Sequence, residues 1–393
     1  MPKSSAFDFS HLLIPLSSYL LIFSGSFGKS MGKNKIKIAV AMSGGVDSSV
    51  TAAILKERGY DVTGVAMSKY SDAFPIDDSL KNSCYGPGEK EAIRGAEDVC
   101  KKLGIPLRII DVKQEFREHV IEYFRKEYLA GRTPNPCVAC NGIVKFGFLF
   151  EKVRQESNDY DCFATGHYAR IMRDDKQYLL KKGKDHNKDQ SYFLYTLNQE
   201  QLSQTLFPIG GYTKRQVREM ALLYGLDVGD KTESQDFIGR NDYSLLFKDE
   251  EIRPGEIVDK SGKILGRHKG IVNYTIGQRK GLGIASPKPL YVNYLDVPQN
   301  RLVVGNREDL YSKGLIAKDI SLVGFDENRK EYSIKAKIRY KHRPSRARVL
   351  LLDNKKARIM FEEPQMSITP GQSVVMYLDD VVLGGGVIEQ AIQ

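Results

Sequence analysis

The chain has 393 residues, 41% of them hydrophobic and 27% charged, a balance that excludes wholesale disorder and a membrane protein. That length outgrows a single core, so two or three domains are expected. Lysine and arginine exceed aspartate and glutamate by 59 to 49, a formal charge of +10, which suits a polyanionic partner without demanding one.

Residues 1–30 read as an extension outside the fold. Leu12 to Phe23 is a short apolar run followed by Ser24-Gly25-Ser26, like the core and cleavage region of a signal peptide, but too short to span a bilayer. Met31 then opens a basic lead into an apolar strand. A mis-chosen start codon or a disordered extension is therefore expected rather than a working signal. Ile36 to Met42 reads as a strand and is followed by a glycine turn. Ser49 to Arg58 then reads as a helix, with Val50, Ala53 and Ile54 at helical spacing and Gly59 as its stop. Asp61 to Met67 predicts a second strand, Glu89 to Leu103 a helix and Leu107 to Asp111 a third strand. Such alternation implies an α/β fold, a doubly wound parallel sheet. Gln114 to Leu129, Gly142 to Gln155, Cys162 to Thr165 and Thr213 to Tyr224 extend it, so this domain is expected over residues 31–232.

Beyond it, recurrent glycines from Gly255 to Gly283 separate short strand-like runs, predicting a small β-rich central domain over 233–308. Regular strands such as Ser333 to Tyr340, Ala347 to Leu352, Ala357 to Phe361 and Ser373 to Tyr377 predict a C-terminal β-barrel over 309–393. Lys335, Lys337, Arg339, Lys341, Arg343, Arg346 and Arg348 fall in one acid-free span of that domain. The span reads as a phosphate-facing surface, against the blander alternative of a solvated strand face. Five cysteines, an odd number, form no disulfide framework and point to a reducing compartment, by default the cytoplasm.

The strongest local signal is Ser43-Gly44-Gly45-Val46-Asp47-Ser48, between the first strand and the first helix. Glycines there let backbone N–H groups approach a phosphate, and the helix N-terminus adds its positive dipole end. The lysine of the common NTPase loop is absent. The string instead matches the loop of the ATP pyrophosphatases, which cleave ATP between the α and β phosphates, and Asp47 would then help to hold Mg2+.

Four further strings narrow the field: Asn135-Pro136-Cys137-Val138-Ala139-Cys140-Asn141, Thr165-Gly166-His167-Tyr168-Ala169, Lys188-Asp189-Gln190-Ser191-Tyr192-Phe193-Leu194, and Thr275-Ile276-Gly277-Gln278-Arg279-Lys280-Gly281-Leu282-Gly283. In content and order they resemble the bacterial tRNA 2-thiouridylases (MnmA family), and the resemblance runs from Lys35 to Gly386. It implies an adenine nucleotide alpha-hydrolase-like catalytic domain and ATP-dependent replacement of the 2-oxygen of the wobble uridine, U34, by sulfur. ATP contacts would come from Ala41, Met42, Ser43, Gly44, Gly45, Val46, Asp47 and Ser48, with Met67 and Gly166. Cys140 occupies the nucleophile position, and Asn135, Pro136 and Cys137 would border the flipped target base. His167, Lys188, Asp189, Gln190, Arg339, Tyr340 and Gln372 match positions that touch tRNA. The implied partners are tRNAs with glutamate, lysine and glutamine anticodons and a cysteine desulfurase or sulfur relay protein as donor, with no membrane.

One departure stands out. Family members carry a second cysteine, which bears the persulfide, after the Glu-Ser-Gln-Asp string. Here Glu233-Ser234-Gln235-Asp236 runs into Phe237-Ile238-Gly239, and Cys137 stands three residues before Cys140. Three accounts remain open: Cys137 is the second catalytic thiol; Cys137 and Cys140 ligate an iron–sulfur cluster or zinc; or Cys84 is recruited. Cys100 and Cys162 read as core residues. Two other functions also remain open. One is a different adenylating synthetase with an ATP-pyrophosphatase loop, and the other a tRNA-binding protein that has lost sulfur transfer.

Overall fold

The computed structural model describes residues 35–71, 83–156, 160–175, 177–226, 237–238, 243–248, 251–324 and 329–393. Residues 1–30, the string Glu233–Asp236 and Gly239 lie outside the described residues.

The first domain is built on strands β1 (Lys37–Ala41), β2 (Asp61–Ser68), β3 (Leu107–Asp111), β4 (Cys162–Ala164) and, later in the chain, β7 (Thr205–Leu206). All are parallel, in the order β3-β2-β1-β4-β7. Alternate residues of β1 feed two different cores, so both faces of the sheet are covered. Ile38 and Val40 pack with α1 (Val46–Glu57), α2 (Glu89–Leu103) and α6 (Lys214–Leu223), and this core includes Cys100 and Cys162. Ala39 faces the opposite core, formed by a helix over residues 113–129 (α3) and another over 136–156 (α4). Both of these helices contain wide π turns, Arg117–Ile121 and Cys140–Leu149, a feature that recurs at functional sites. A short helix α5 (Gln199–Ser203) begins with a complete capping box at Asn198.

α1 starts at Val46, three residues earlier than the sequence pattern predicts, because the extended Gly45 serves as N-cap. Asp47 and Ser48 thereby belong to the first helical turn. A hairpin that the sequence reading did not anticipate, β5 (Ala169–Arg173) and β6 (Tyr178–Lys182), leaves this domain and joins the C-terminal sheet through Lys181 opposite Val381.

The central unit has strands β8 (Gly255–Asp259), β9 (Ile264–His268), β10 (Tyr291–Asp296) and β11 (Arg301–Gly305), ordered β10-β11-β8-β9. The C-terminal unit has β12 (Tyr311–Leu322), β13 (Glu331–Lys337), β14 (Ser345–Leu352), β15 (Lys356–Met366), β16 (Ser373–Leu378) and β17 (Val381–Ile392). Pairing of β12 with both β15 and β17 closes these strands into a barrel, which leaves no free edge among them. Leu315, Ile334, Val349, Ile359 and Val374 fill its interior. The basic span is a strand, a turn and a strand rather than one strand, since β13 ends at Lys337 and His342 N–H bonds the Arg339 carbonyl at 3.0 Å. Among the described residues no helix is long and apolar enough to cross a membrane.

Candidate active site

The loop after β1 lies where the strand order reverses between β2 and β4, the position at which open parallel sheets hold ligands. Gly44 has φ +70°, and a Cβ on it would stand 2.3 Å from the Ala92 carbonyl oxygen, so no other residue fits there. Ser48 Oγ ties the loop by donating to Gly45 O at 3.1 Å and accepting from Ser43 N–H at 3.2 Å. Gly45 offers no side-chain cap, so the first N–H groups of α1 remain available to an anion. Gly166 closes the loop from the next strand. A Cβ there would lie 2.8 Å from the backbone of Asp47 and Ser48. Ala41, at the end of β1, and Met67, near the end of β2, are half-buried and pack against the core that contains Cys140, while Met42 is buried beneath the loop.

Asp47 is engaged by two side chains that sequence reading missed. Lys214 Nζ reaches its carboxylate oxygens at 2.8 and 2.9 Å, and Tyr168 O–H donates to it at 2.8 Å. Lys214 is only 7% exposed, an ammonium held where no ordinary surface lysine would be. The signal was faint, since Lys214 looks like a routine first-turn residue of α6. What gives it away is the glycine loop without its own lysine, a loop that needs a cation from elsewhere.

The second part of the site is the turn from α3 into α4. Arg132 forks onto Glu127 at 2.6 Å through both nitrogens. Thr133 meets Thr275 of the central unit, Oγ1 to Oγ1 at 2.6 Å, and its N–H donates to Pro370 O at 2.9 Å. Gln372 Nε2 donates to the Thr133 and Pro134 carbonyls at 2.9 and 3.2 Å. Three units of the chain thus grip the residues immediately ahead of Asn135. Pro136 then opens α4, as its fixed φ allows, Cys137 is exposed, and Cys140 is 9% exposed.

Burial pushes the Cys140 thiol pKa up; Lys145 and Lys69 oppose the shift and Cys84 adds to it. Cys137 is exposed as a residue, yet desolvation around its sulfur, and then Cys84 and Cys140, raise the thiol pKa to about 12. Lys69 and Lys145 are the cations that a thiolate here would face, and the sequence reading named neither. Lys145 Nζ donates to Asn141 Oδ1 at 3.0 Å, and Lys69 pairs with Glu89 at 3.3 Å. Cys100 and Cys162 are buried core residues, as their composition context implied. Among the described residues no group of three His, Cys, Asp or Glu side chains is placed to hold a metal ion. A cluster at Cys137 and Cys140 therefore has only two described ligands, half the usual set.

Several of the residues expected at the tRNA also hold partners within the protein. His167 is buried, flanked by Phe146 and Phe207 with ring centroids 5.9 Å away, and its Nδ1 lies 2.7 Å from Thr165 Oγ1. Burial and then Lys145 hold its pKa well below the usual range, so the imidazole is neutral. Asp189 is buried too, accepting from Gly183 N–H, Ser191 N–H and Ser191 Oγ at 3.0–3.1 Å. Gln190 Oε1 accepts from Tyr168 N–H at 2.9 Å. Arg339 sits in the turn and donates to Ile276 O at 3.0 Å and to Thr369 Oγ1, joining the central unit to the barrel. Gln372 is the clamp described above. Lys188 and Tyr340 are part-exposed, and the Tyr340 ring packs tilted against Phe193, centroids 4.4 Å apart, with Lys337 Nζ 5.2 Å from its ring.

Sequence-family models match in chain order: a tRNA methyl transferase HUP domain over residues 36–239, a tRNA methyl transferase PRC-barrel domain over 245–306 and an aminomethyltransferase beta-barrel domain over 312–388. The chain is 47% identical over 363 residues to the tRNA-specific 2-thiouridylase MnmA of Acetivibrio thermocellus, covering 91% of this chain and 100% of that one. It is 45% identical to the tRNA-specific 2-thiouridylase MnmA 2 of Clostridium botulinum, over 90% of this chain and 99% of the other. It is 46% identical to the tRNA-specific 2-thiouridylase MnmA of Endomicrobium trichonymphae, over 91% and 99%. With likeness of that degree spanning each relative almost end to end, the chain belongs to the tRNA-specific 2-thiouridylase (MnmA) family.

Proposed function

We propose that this enzyme is an ATP-dependent tRNA-uridine 2-sulfurtransferase: it adenylates the 2-oxygen of the wobble uridine and replaces that oxygen with sulfur carried on cysteine. The observation that carries the reading is the union of the two parts of the site. Ala41 and Met67, beside the nucleotide loop, pack against the same core as Cys140, and Lys145 acts electrostatically on Cys137, Cys140 and His167 alike.

The uncapped start of α1 and residues 41–48 would take the phosphates of ATP, with Met67 and Gly166 beside the nucleoside. Asp47 would hold the accompanying Mg2+, an ion content with one carboxylate when phosphate and water supply the rest. In this structure Lys214 holds that carboxylate, so Lys214 is the natural cation for the departing pyrophosphate. Adenylation turns a poor leaving group into part of a phosphate ester. Asn135, Pro136 and Cys137 would border the flipped uridine, and Cys140 would deliver sulfur to C2 as AMP leaves with the old oxygen. Lys69 and Lys145 would favour the anionic sulfur needed at that moment.

The division of labour we infer is catalysis in residues 31–232, a connector in 233–308, and a grip on the anticodon arm by 309–393. Lys335 and Arg346 stand directly opposite each other on β13 and β14, with Arg348 on the same outer face. Like charges so placed repel unless an anion lies over them, which suits tRNA phosphates, with Lys188 and Tyr340 nearer the site. The donor would be a cysteine desulfurase or its relay protein, the substrates tRNAs of the glutamate, lysine and glutamine type, and the compartment the cytoplasm.

The test is to incubate the protein with unmodified glutamate tRNA, ATP, Mg2+ and a persulfide source, digest the RNA and look for 2-thiouridine by mass. Thiouridine that disappears in Cys140→Ser is the expected result. Unchanged product in that variant would make the cysteines incidental, and tRNA binding without pyrophosphate release would reduce the protein to an RNA binder.

A further inference from the structure

The glycine-rich string from Thr275 to Gly283 is held more firmly than an exposed loop of the central unit requires. Thr275 meets Thr133 of the turn between α3 and α4, Oγ1 to Oγ1 at 2.6 Å. The Ile276 carbonyl accepts from the Arg339 guanidinium of the barrel at 3.0 Å. Gly277 has φ +86°, and a Cβ on it would overlap Ser367 Oγ of the barrel, so the loop seats there only without a side chain. Its N–H donates to Val292 O at 2.8 Å, and Val292 N–H donates back to Gln278 O at 3.0 Å. The Gln278 side chain braces the bend, accepting from Thr275 N–H at 3.2 Å and donating to Lys280 O at 3.0 Å. Beyond the bend, Leu282 is buried in the core of the central unit with Ile257, Tyr274 and Leu302. Arg279, Lys280 and Gly281 are left exposed between these anchors.

Among the described residues, the ion pairs that the central unit makes are Arg125–Glu251, Lys260–Asp309 and Arg301–Glu256, and neither Arg279 nor Lys280 takes part in one. Two adjacent cations are thus presented by a fixed backbone and left without an acid. Their place is beside the target-base turn. Arg279 follows Thr275 by four residues and Asn135 follows Thr133 by two, so even an extended chain carries them no more than about 14 Å and 7 Å from the paired threonines. Through Ile276 and Arg339 the same loop is tied to the barrel turn that bears Tyr340.

We propose that Arg279 and Lys280 hold the backbone phosphates flanking the target uridine while its base is turned out into the pocket, an inference that rests on the thiolation reading above. Turning a base out of its stack costs free energy that contacts made in the turned-out state must offset. Phosphate contacts suit that task, since they set register and orientation and leave the reading of the base to the pocket. The guanidinium can fork onto one phosphate, and the ammonium approaches the next as a point charge. A loop already fixed at both ends loses little freedom on binding. Because its base is pinned to Thr133, the phosphate seat and the pocket keep a constant separation, which a solvated surface loop would have no reason to do.

The experiment uses the full-length protein and a glutamate-type anticodon stem-loop RNA with 2-aminopurine at position 35, whose emission rises when the base at position 34 leaves the stack. The wild type should raise that emission, and Arg279→Gln/Lys280→Gln should lose most of the rise at saturating RNA. The slope of log affinity against log salt should flatten by about 1.5, two phosphates at the single-strand value. Thiouridine formation on intact tRNA should slow by about 10–100-fold in kcat, the loss expected for charge-assisted contacts made as the base turns out. ATP affinity and melting temperature should stay at wild-type values, because both side chains are exposed. Arg279→Lys in the otherwise wild-type chain should keep the full salt slope. An unchanged salt slope and a full emission rise in the double variant overturn the proposal. So does a lowered melting temperature that accounts for the loss, with Arg279→Lys no better than Arg279→Gln, since the loop's role would then be structural. A wild type that binds tRNA but makes no thiouridine with every component present overturns the thiolation reading itself, a different failure visible before any variant is made.

Discussion

The nucleotide loop takes nearly all of its shape from consecutive residues, whereas the chamber around Cys140 is assembled from segments scattered between Lys69 and Gln372. In the loop, Gly44, Gly45 and Ser48 bond or turn within residues 43–49. In the chamber, the turn that presents Cys137 and Cys140 is held by Thr275, Pro370 and Gln372 from the other two units. A locally specified loop binds a nucleotide wherever strand, glycines and helix are in register. A chamber specified from a distance is complete only when the three units are docked, which couples sulfur chemistry to the surfaces we infer to hold tRNA.

Lys214 is the sharpest test of the loop's independence, because it is the loop's long-range charge. Lys214→Met should lower pyrophosphate release by about 10²–10³-fold, the usual effect of removing one preorganised charged group from a transition state, while tRNA affinity stays the same. Measuring both quantities on one preparation decides it. A normal rate of pyrophosphate release would leave Lys214 as a packing partner of Asp47 and make the loop wholly local.

The chamber's electrostatics supply the next largest effect. With the Cys137 thiol raised to about 12 by desolvation around its sulfur and by the neighbouring thiols, the thiolate fraction rises with pH throughout the neutral and alkaline range. Iodoacetamide alkylation of Cys137, followed by peptide mass in the absence of ATP and tRNA, should therefore accelerate about tenfold per pH unit from pH 7 to pH 9 without levelling. A plateau near the ordinary thiol value of about 8.5 would mean that Lys69 and Lys145 outweigh desolvation.

The same contrast explains what was legible in the sequence. β1, α2, β3 and the glycine loop could be read because their signals are local: an apolar run, a helical stripe and a turn that only glycine fits. Lys214, Lys69 and Lys145 could not, since an isolated lysine has no pattern, and its function comes from the carboxylate or thiol that folding places beside it. His167 and Arg339 carry information of both kinds. Their positions in recognisable strings suggest RNA contact, while the packing of Phe146 and Phe207 around the imidazole, and the bonds of the guanidinium to Ile276 and Thr369, are visible only in the fold. The β5–β6 hairpin escaped notice because its pairing partner, Val381, lies two domains further along the chain.

Gln372 probes the coupling between units. Gln372→Ala removes both hydrogen bonds to the Thr133 and Pro134 carbonyls, at a cost of roughly 1–2 kcal/mol. If that loss falls on the position of the Cys137 turn, thiouridine formation should drop about tenfold, with the rate of pyrophosphate release unchanged. A drop in both would mean that the loop depends on barrel docking as much as the chamber does.

The smallest effect should come from the face farthest from either part of the site. Lys335 and Arg346 are cross-strand neighbours with Arg348 on the same side, and the acid beside them, Glu362, stands 3.9 Å from Arg346 with both side chains well exposed. An exposed pair of that kind contributes little, so the repulsion is not cancelled within the protein. Each of Arg346→Ala and Arg348→Ala should weaken tRNA binding only a few-fold, yet flatten the slope of log affinity against log salt by about one unit. Titrations at several salt concentrations separate a phosphate contact from a packing effect, because a packing effect lowers affinity without changing the slope. Unchanged slopes in both variants would move the tRNA grip away from β13 and β14, and with it the reason for a barrel that holds the Cys137 turn in place.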